Sequence, residues 1–154
     1  MTPFRHILVP VDFGEAMEPA LSLALSVARA SGEAHITLLY AFDVTPFVVA
    51  SPFGPAIDVE PIAVAMEAEL EKLREKTQAR APHVDSVFRR GTPYEVVLEV
   101  AKALGCDLIV VGTHGRRGLS RAILGSVAER VVRLSSIPVL TVHPGTPAAK
   151  ASAA

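Results

Sequence analysis

Apolar residues in this chain follow two alternating patterns. The first is the unbroken run: His6-Ile7-Leu8-Val9-Pro10-Val11, His35-Ile36-Thr37-Leu38-Leu39-Tyr40-Ala41-Phe42 and Leu108-Ile109-Val110-Val111. Runs this short and this apolar read as strands covered on both faces. A further run, Val84-Asp85-Ser86-Val87-Phe88-Arg89-Arg90, alternates apolar with polar and reads as a more exposed edge strand. The last, Val139-Leu140-Thr141-Val142-His143, follows Ser136-Ile137-Pro138. Between the runs the period becomes helical. Leu21, Ala24, Leu25 and Ala28 make one stripe within 15–31, and Gly32 supplies a stop. Pro61 opens a second helix, apolar at Ile62, Val64 and Met66 and charged, hence solvated, over 67–80. Thr92, Pro93 and Glu95 carry the signature of a capped third helix. Its inward stripe is Val97, Val100, Ala101 and Leu104, and Gly105 stops it. Residues 127–134 read as a fourth helix.

The order is therefore β-α-β-α-β-α-β-α-β. Such alternation predicts one α/β domain: a parallel sheet, helices on both faces, right-handed crossovers. The domain takes in 1–144, and the Ala/Pro/Ser-rich tail 145–154 is expected to be disordered. The stretch 43–60 fits neither pattern. Pro46, Pro52 and Pro55 argue against a continuous regular element there. A loop of that length in a compact domain usually serves as a lid, a binding loop or an interface.

Candidate chemistry gathers after the fourth strand, in Gly112-Thr113-His114-Gly115-Arg116-Arg117-Gly118-Leu119-Ser120-Arg121-Ala122-Ile123-Leu124-Gly125-Ser126. A buried strand opening into glycines and then a helix is a common phosphate cradle. Glycine lets backbone N–H groups close on an anion, and a helix N-terminus carries partial positive charge. Ser126 and Glu129 have capping-box spacing, which marks the helix start. The segment is no Walker A loop, since no Gly-Lys-Ser/Thr follows the glycines, and its intervals are not those of the dinucleotide fingerprint. Arg116 and Arg117 suit phosphate geometry, although arginines in an exposed loop are as often simply solvated. His114 has no evident carboxylate partner, so a general base is not assigned to it. Asp12 follows the first strand. Asp12-x-x-Glu15 resembles a capping box, and one carboxylate can cap a helix and face a ligand at once.

The spacing Gly112-x2-Gly115-x9-Gly125-Ser126 resembles the nucleotide-binding motif of the universal stress protein family, in its ATP-binding subgroup. The resemblance runs from Arg5 to His143, and Ile7-Leu8-Val9-Pro10-Val11-Asp12 and Ile137-Pro138-Val139-Leu140-Thr141-Val142 are its other marks. It implies a five-stranded parallel sheet in the order 3-2-1-4-5, Rossmann-like, with the site where strands 1 and 4 part. It implies that Pro10, Val11 and Asp12 border the adenosine, with the backbone of Ala41 beside the base. Gly112 and Gly115 would then approach ribose and phosphate, with His114 and Arg116 in the same loop. Gly125, Ser126 and Val127 would bind phosphates. The implied cofactor is ATP, with Mg2+ or Mn2+. Family members with similar final strands pair them across a two-fold axis. A homodimer through Val139-Leu140-Thr141-Val142-His143 is accordingly expected, since no charge within its apolar part repels a second copy.

Composition narrows the remaining choices. The chain has 154 residues, half of them hydrophobic, enough for one sizeable core. A formal net charge of −1 gives no electrostatic footprint for nucleic acid. The single cysteine, Cys106, precludes an intrachain disulfide and reads as a core or rim residue. No signal peptide and no membrane-length apolar run is evident, so the cytoplasm is the default expectation. The functional expectation is a nucleotide-dependent binding and regulatory module of the stress response. An ATPase or phosphotransferase is a second reading, weakened by the lack of a P-loop lysine and of an oriented base. A protein-binding adaptor with incidental nucleotide is a third.

Overall fold

The structure, a computed structural model, describes residues 3–50, 53–54, 57–113 and 124–145. Its elements are β1 (His6–Pro10), α1 (Met17–Ala30), β2 (His35–Phe42), α2 (Thr45–Ala50), α3 (Glu60–Gln78), β3 (Val84–Arg90), α4 (Pro93–Ala103), β4 (Leu108–Gly112), α5 (Ser126–Leu134) and β5 (Val139–Val142). The five strands form one sheet in the order β3-β2-β1-β4-β5, and every neighbouring pair is parallel. The alternation of runs and helical stripes thus gives the doubly covered sheet that the sequence predicts.

Side chains alternate across the strands, so β1 feeds two cores at once. Ile7 and Val9 join Leu21, Leu25, Leu70 and Leu73 on the face covered by α1 and α3. Leu8 joins Val97, Val100, Ala128 and Val131 on the face covered by α4 and α5. In the central strands nothing is left for water: Ile7, Leu8, Val9, Ile109 and Val110 are fully buried. That double burial is why β1 and β4 carry no polar residue between their ends.

Four details of the helices depart from the sequence reading. Stretch 43–60 is not wholly irregular, because the short helix α2 sits within it; the Asp43 carboxylate accepts the Thr45 amide at 2.9 Å and turns the chain into it. In α3 the buried stripe is Ala63, Leu70, Leu73 and Thr77, which runs through the charged half, while Val64 in the apolar half is 63% exposed. Leu70 and Leu73 lie on the face turned to the sheet, and position on the helix decides burial where local composition does not. In α4, Val96 is buried and Leu104 is 42% exposed, because the helix ends at Ala103 and Leu104 has already left the inward face. Thr92 stands at the N-cap of α4 but makes no side-chain cap bond, and Glu95 instead accepts the Tyr94 hydroxyl at 2.8 Å.

Candidate functional site

The sheet order reverses direction between β1 and β4. Successive connections leave that point toward opposite faces, the arrangement that in open α/β sheets makes the carboxyl ends of these two strands the expected ligand crevice. The loops after β1 and β4 and the start of α5 meet at that end of the sheet. Of the residues picked out in the sequence, Pro10, Val11, Asp12, Gly112, Gly125, Ser126 and Val127 belong to these segments, and Ala41 lies near the end of β2. His114, Gly115 and Arg116 lie outside the described residues.

Val11 prolongs the β1–β2 ladder by donating its amide to the Leu39 carbonyl at 2.8 Å. The chain then turns sharply. The Asp12 carboxylate accepts the Gly14 amide at 2.8 Å, and Phe13 between them has a φ of +57°. This is a local Asx-type turn and not a helix cap: α1 begins at Met17, with Ala16 in the cap position. The expected cap on α1 is therefore absent. One oxygen of Asp12 holds the loop, and the second has no partner among the described residues.

Across the crevice the end of β4 is tied to β5 and to α5. Thr113 donates its amide to the Val142 carbonyl at 2.8 Å and accepts the Gly125 amide on its own carbonyl at 2.7 Å. Its hydroxyl shares a 2.9 Å hydrogen bond with Nδ1 of His143, and the whole residue is buried. Sequence reasoning does not single out Thr113, yet it joins three elements at the site. Its one signal is a hydroxyl standing between a glycine and the loop at the end of an apolar strand.

The two glycines of this region have steric reasons of their own. A Cβ on Gly112 would lie 2.7 Å from the Ala16 Cβ, and one on Gly125 would lie 2.7 Å from the Thr113 carbonyl oxygen. Neither needs a left-handed backbone. Gly125 has φ −57° and ψ 148° and is itself the N-cap of α5, its carbonyl accepting the Glu129 amide at 2.9 Å. Ser126 is consequently the first helical residue and not the cap. The capping box with Glu129 does not form, and Glu129 lies 3.5 Å from Arg133 instead. Since the first intrahelical bond is made by Glu129, the amides of Ser126, Val127 and Ala128 have no partner within the helix. They sit at the positive end of the α5 dipole. A phosphate group suits this arrangement: amide donors, partial positive charge, and a closely approaching backbone.

Among the described residues no group of His, Cys, Asp or Glu is arranged to hold a metal ion, and no helix is long and apolar enough to cross a membrane. Cys106 is buried just before the amino end of β4, at the far end of that strand from Gly112. Burial first, and Asp107 second, push its thiol up to about 11.

A parallel five-stranded sheet with helices on both faces, its strand order reversing between β1 and β4, defines the class of open, doubly wound α/β proteins. Within that class, residues 3–143 match the model of the universal stress protein family, and the chain belongs to that family. It is 31% identical over 140 residues to universal stress protein MJ0531 of Methanocaldococcus jannaschii, a match covering 90% of this chain and 82% of the relative. Its fold is similar to that of protein MJ0577 of the same organism, with a TM-score of 0.75, 26% identity, and coverage of 92% of this chain and 96% of the other. It is also similar to a universal stress protein solved in complex with cAMP, with a TM-score of 0.66 and 25% identity, covering 92% of this chain and 98% of that one.

Proposed function

We propose that this chain is a nucleotide-dependent regulatory module that binds ATP, together with Mg2+ or Mn2+, at the carboxyl ends of β1 and β4. The observation that carries the reading is a pair of features in the segments that follow β1 and β4, the two strands at the switch point. One is the set of first-turn amides of α5, and the other is the Asp12 carboxylate with its second oxygen uncommitted among the described residues. The amides of Ser126 and Val127 would take phosphate oxygens, and Gly125, whose own amide is held by Thr113, would let the backbone come close. Pro10, Val11, Asp12 and Ala41 would border the adenosine, and Gly112, His114, Gly115 and Arg116 would complete the loop. The cation would ride on the phosphates, as hard divalent ions commonly do. The relative bound to cAMP supports an adenine ligand for the family. We assign the protein to the cytoplasm, as a homodimer joined through β5.

Titration calorimetry with ATP and Mg2+ tests the site. Wild type should bind saturably, and Asp12→Ala should bind more weakly while losing only about 1 kcal/mol of stability with its single turn hydrogen bond. A melting loss of that size with unchanged ATP affinity would leave Asp12 as a turn residue alone. Mass spectrometry of freshly purified, denatured protein distinguishes storage from turnover: retained ATP supports a binding module, retained ADP a slow ATPase. One observation favours an adaptor role beside nucleotide binding. Val48, Phe53 and Ile57, all between β2 and α3, are exposed apolar residues, as a partner-binding loop would present.

A further inference from the structure

Phe13 occupies a backbone conformation that a bulky residue seldom adopts. Its φ is +57°, and among the described residues Glu33 is the only other non-glycine with positive φ. A left-handed aromatic persists only where its surroundings over-determine it, and such positions cluster at functional sites. A glycine stands one place further on, at Gly14, yet the left-handed position carries the ring.

What holds Phe13 there is a row of aromatic rings. The Phe13 ring meets Tyr40 on β2 at 5.7 Å between centroids and an angle of 39°. Tyr40 stacks on Phe88 of β3 at 5.8 Å and 12°, and Phe88 stacks on Phe42 at 5.9 Å and 28°. The row therefore rests on two neighbouring strands, whose register pairs Tyr40 with Phe88. Pairs in this range of spacing and tilt attract beyond their simple burial. Phe13 is anchored to the sheet while Asp12, the residue before it, stays at the rim with one oxygen on the Gly14 amide.

From this geometry we infer that Phe13 is a positioning residue for the nucleotide: its ring, docked on Tyr40, fixes the turn that aims the Asp12 carboxylate into the crevice. The inference rests on the reading of Asp12 as a ligand contact. Phe13 itself needs no contact with the nucleotide, and its effect passes through Asp12.

The test is a double-mutant cycle read by ATP titration in the presence of Mg2+, on wild type, Phe13→Gly, Asp12→Asn and the double variant, each with its melting temperature. Glycine adopts the left-handed conformation without strain, so Phe13→Gly removes the ring and keeps the turn allowed. Phe13→Gly should weaken ATP binding about tenfold while Asp12 is present, and leave the affinity unchanged when combined with Asp12→Asn. Phe13→Tyr should keep wild-type affinity. Should Phe13→Gly fail to fold, Phe13→Leu keeps apolar bulk on Tyr40 without the flat ring, and the same coupling to Asp12 is expected of it. An equal loss in both backgrounds, or no loss in either, overturns the inference while the nucleotide reading stands. Wild type that binds no ATP overturns that reading, and the inference falls with it.

Discussion

A single Cβ decides what the glycines at the crevice are for. Gly112 and Gly125 approach Ala16 and the Thr113 carbonyl too closely for any side chain, and neither contact involves a ligand. Gly125→Ala should therefore destabilise the protein before it says anything about phosphate. Overpacking of this kind costs about 1–3 kcal/mol, which in a chain of this size lowers the melting temperature by roughly 2–4 °C per kcal/mol. Calorimetric melting of Gly125→Ala without nucleotide checks this, and an unchanged melting temperature would return the glycine to a purely ligand-facing role. Cys106 offers a second test at this scale. With its thiol pushed up to about 11 by burial, it holds little thiolate near neutral pH. Iodoacetamide at about pH 8 should label the native protein far more slowly than the denatured one, and equal rates would mean that the thiol is reached by solvent. Single residues are also where the sequence is hardest to read. Asp12, Thr92 and Ser126 all have capping spacing, and none of their side chains caps its helix. Capping depends on which residue takes the extended backbone just before the first turn. At α5 that residue is Gly125, and spacing alone does not distinguish it from Ser126.

Strands and helices are legible because each satisfies one period. β2 and β3 run over 35–42 and 84–90 as the apolar and alternating runs predict, and the α1 stripe of Leu21, Ala24, Leu25 and Ala28 is buried throughout. Local composition misleads in α3, where only periodicity finds the buried stripe, and α2 escapes notice because a short helix held by a turn leaves little periodic trace. No pattern reveals the side-chain network across the amino ends of the strands. There His6 on β1 shares a 2.8 Å hydrogen bond with the Thr37 hydroxyl and lies edge-on to His35, at 4.6 Å between rings. His35 pairs with Asp85 of β3 at 2.9 Å, and Asp107 accepts the amides of Arg5 and His6. Burial, and after it the neighbouring His35, hold the His6 imidazole below its ordinary pKa, while the Leu104 backbone, Asp107 and Asp85 pull the other way. A base whose folded pKa is depressed binds its proton more readily in the unfolded chain. The stability contributed by neutral His6 is therefore complete well above about pH 6.5, and it is lost as the pH falls below that value toward the depressed folded pKa. Melting temperatures between about pH 7.5 and 5.5 should fall in wild type and fall less in His6→Gln, whose amide can still reach Thr37. An equally steep fall in His6→Gln would place the sensitivity on other groups.

For the whole molecule, assembly comes down to the free edge of β5. Among the described residues the strand pairs only with β4, and its other side presents backbone groups with no strand partner among them. The opposite edge of the sheet, β3, is defended: Asp85, Arg89 and Arg90 are exposed there, and Arg90 is held by Glu60 through contacts of 2.6 and 2.8 Å. β5 has no such defence. Leu140 is 37% exposed, Thr141 is exposed, and no charge lies between Val139 and Val142. A second copy brought up antiparallel across a two-fold axis would satisfy both rows of backbone groups and cover Leu140 against its own symmetry mate. The same pairing would bear on the site, because Thr113 joins the end of β4 to Val142 and His143. Light scattering at micromolar concentration should therefore find wild type as a dimer. Leu140→Lys sets like charges against each other at the axis and should shift the protein to monomer with its fold kept, since Leu140 contributes little to the core. Circular dichroism and melting of the variant distinguish dissociation from unfolding. A wild type that is monomeric, or a Leu140→Lys dimer as stable as the wild type, would move the interface away from β5.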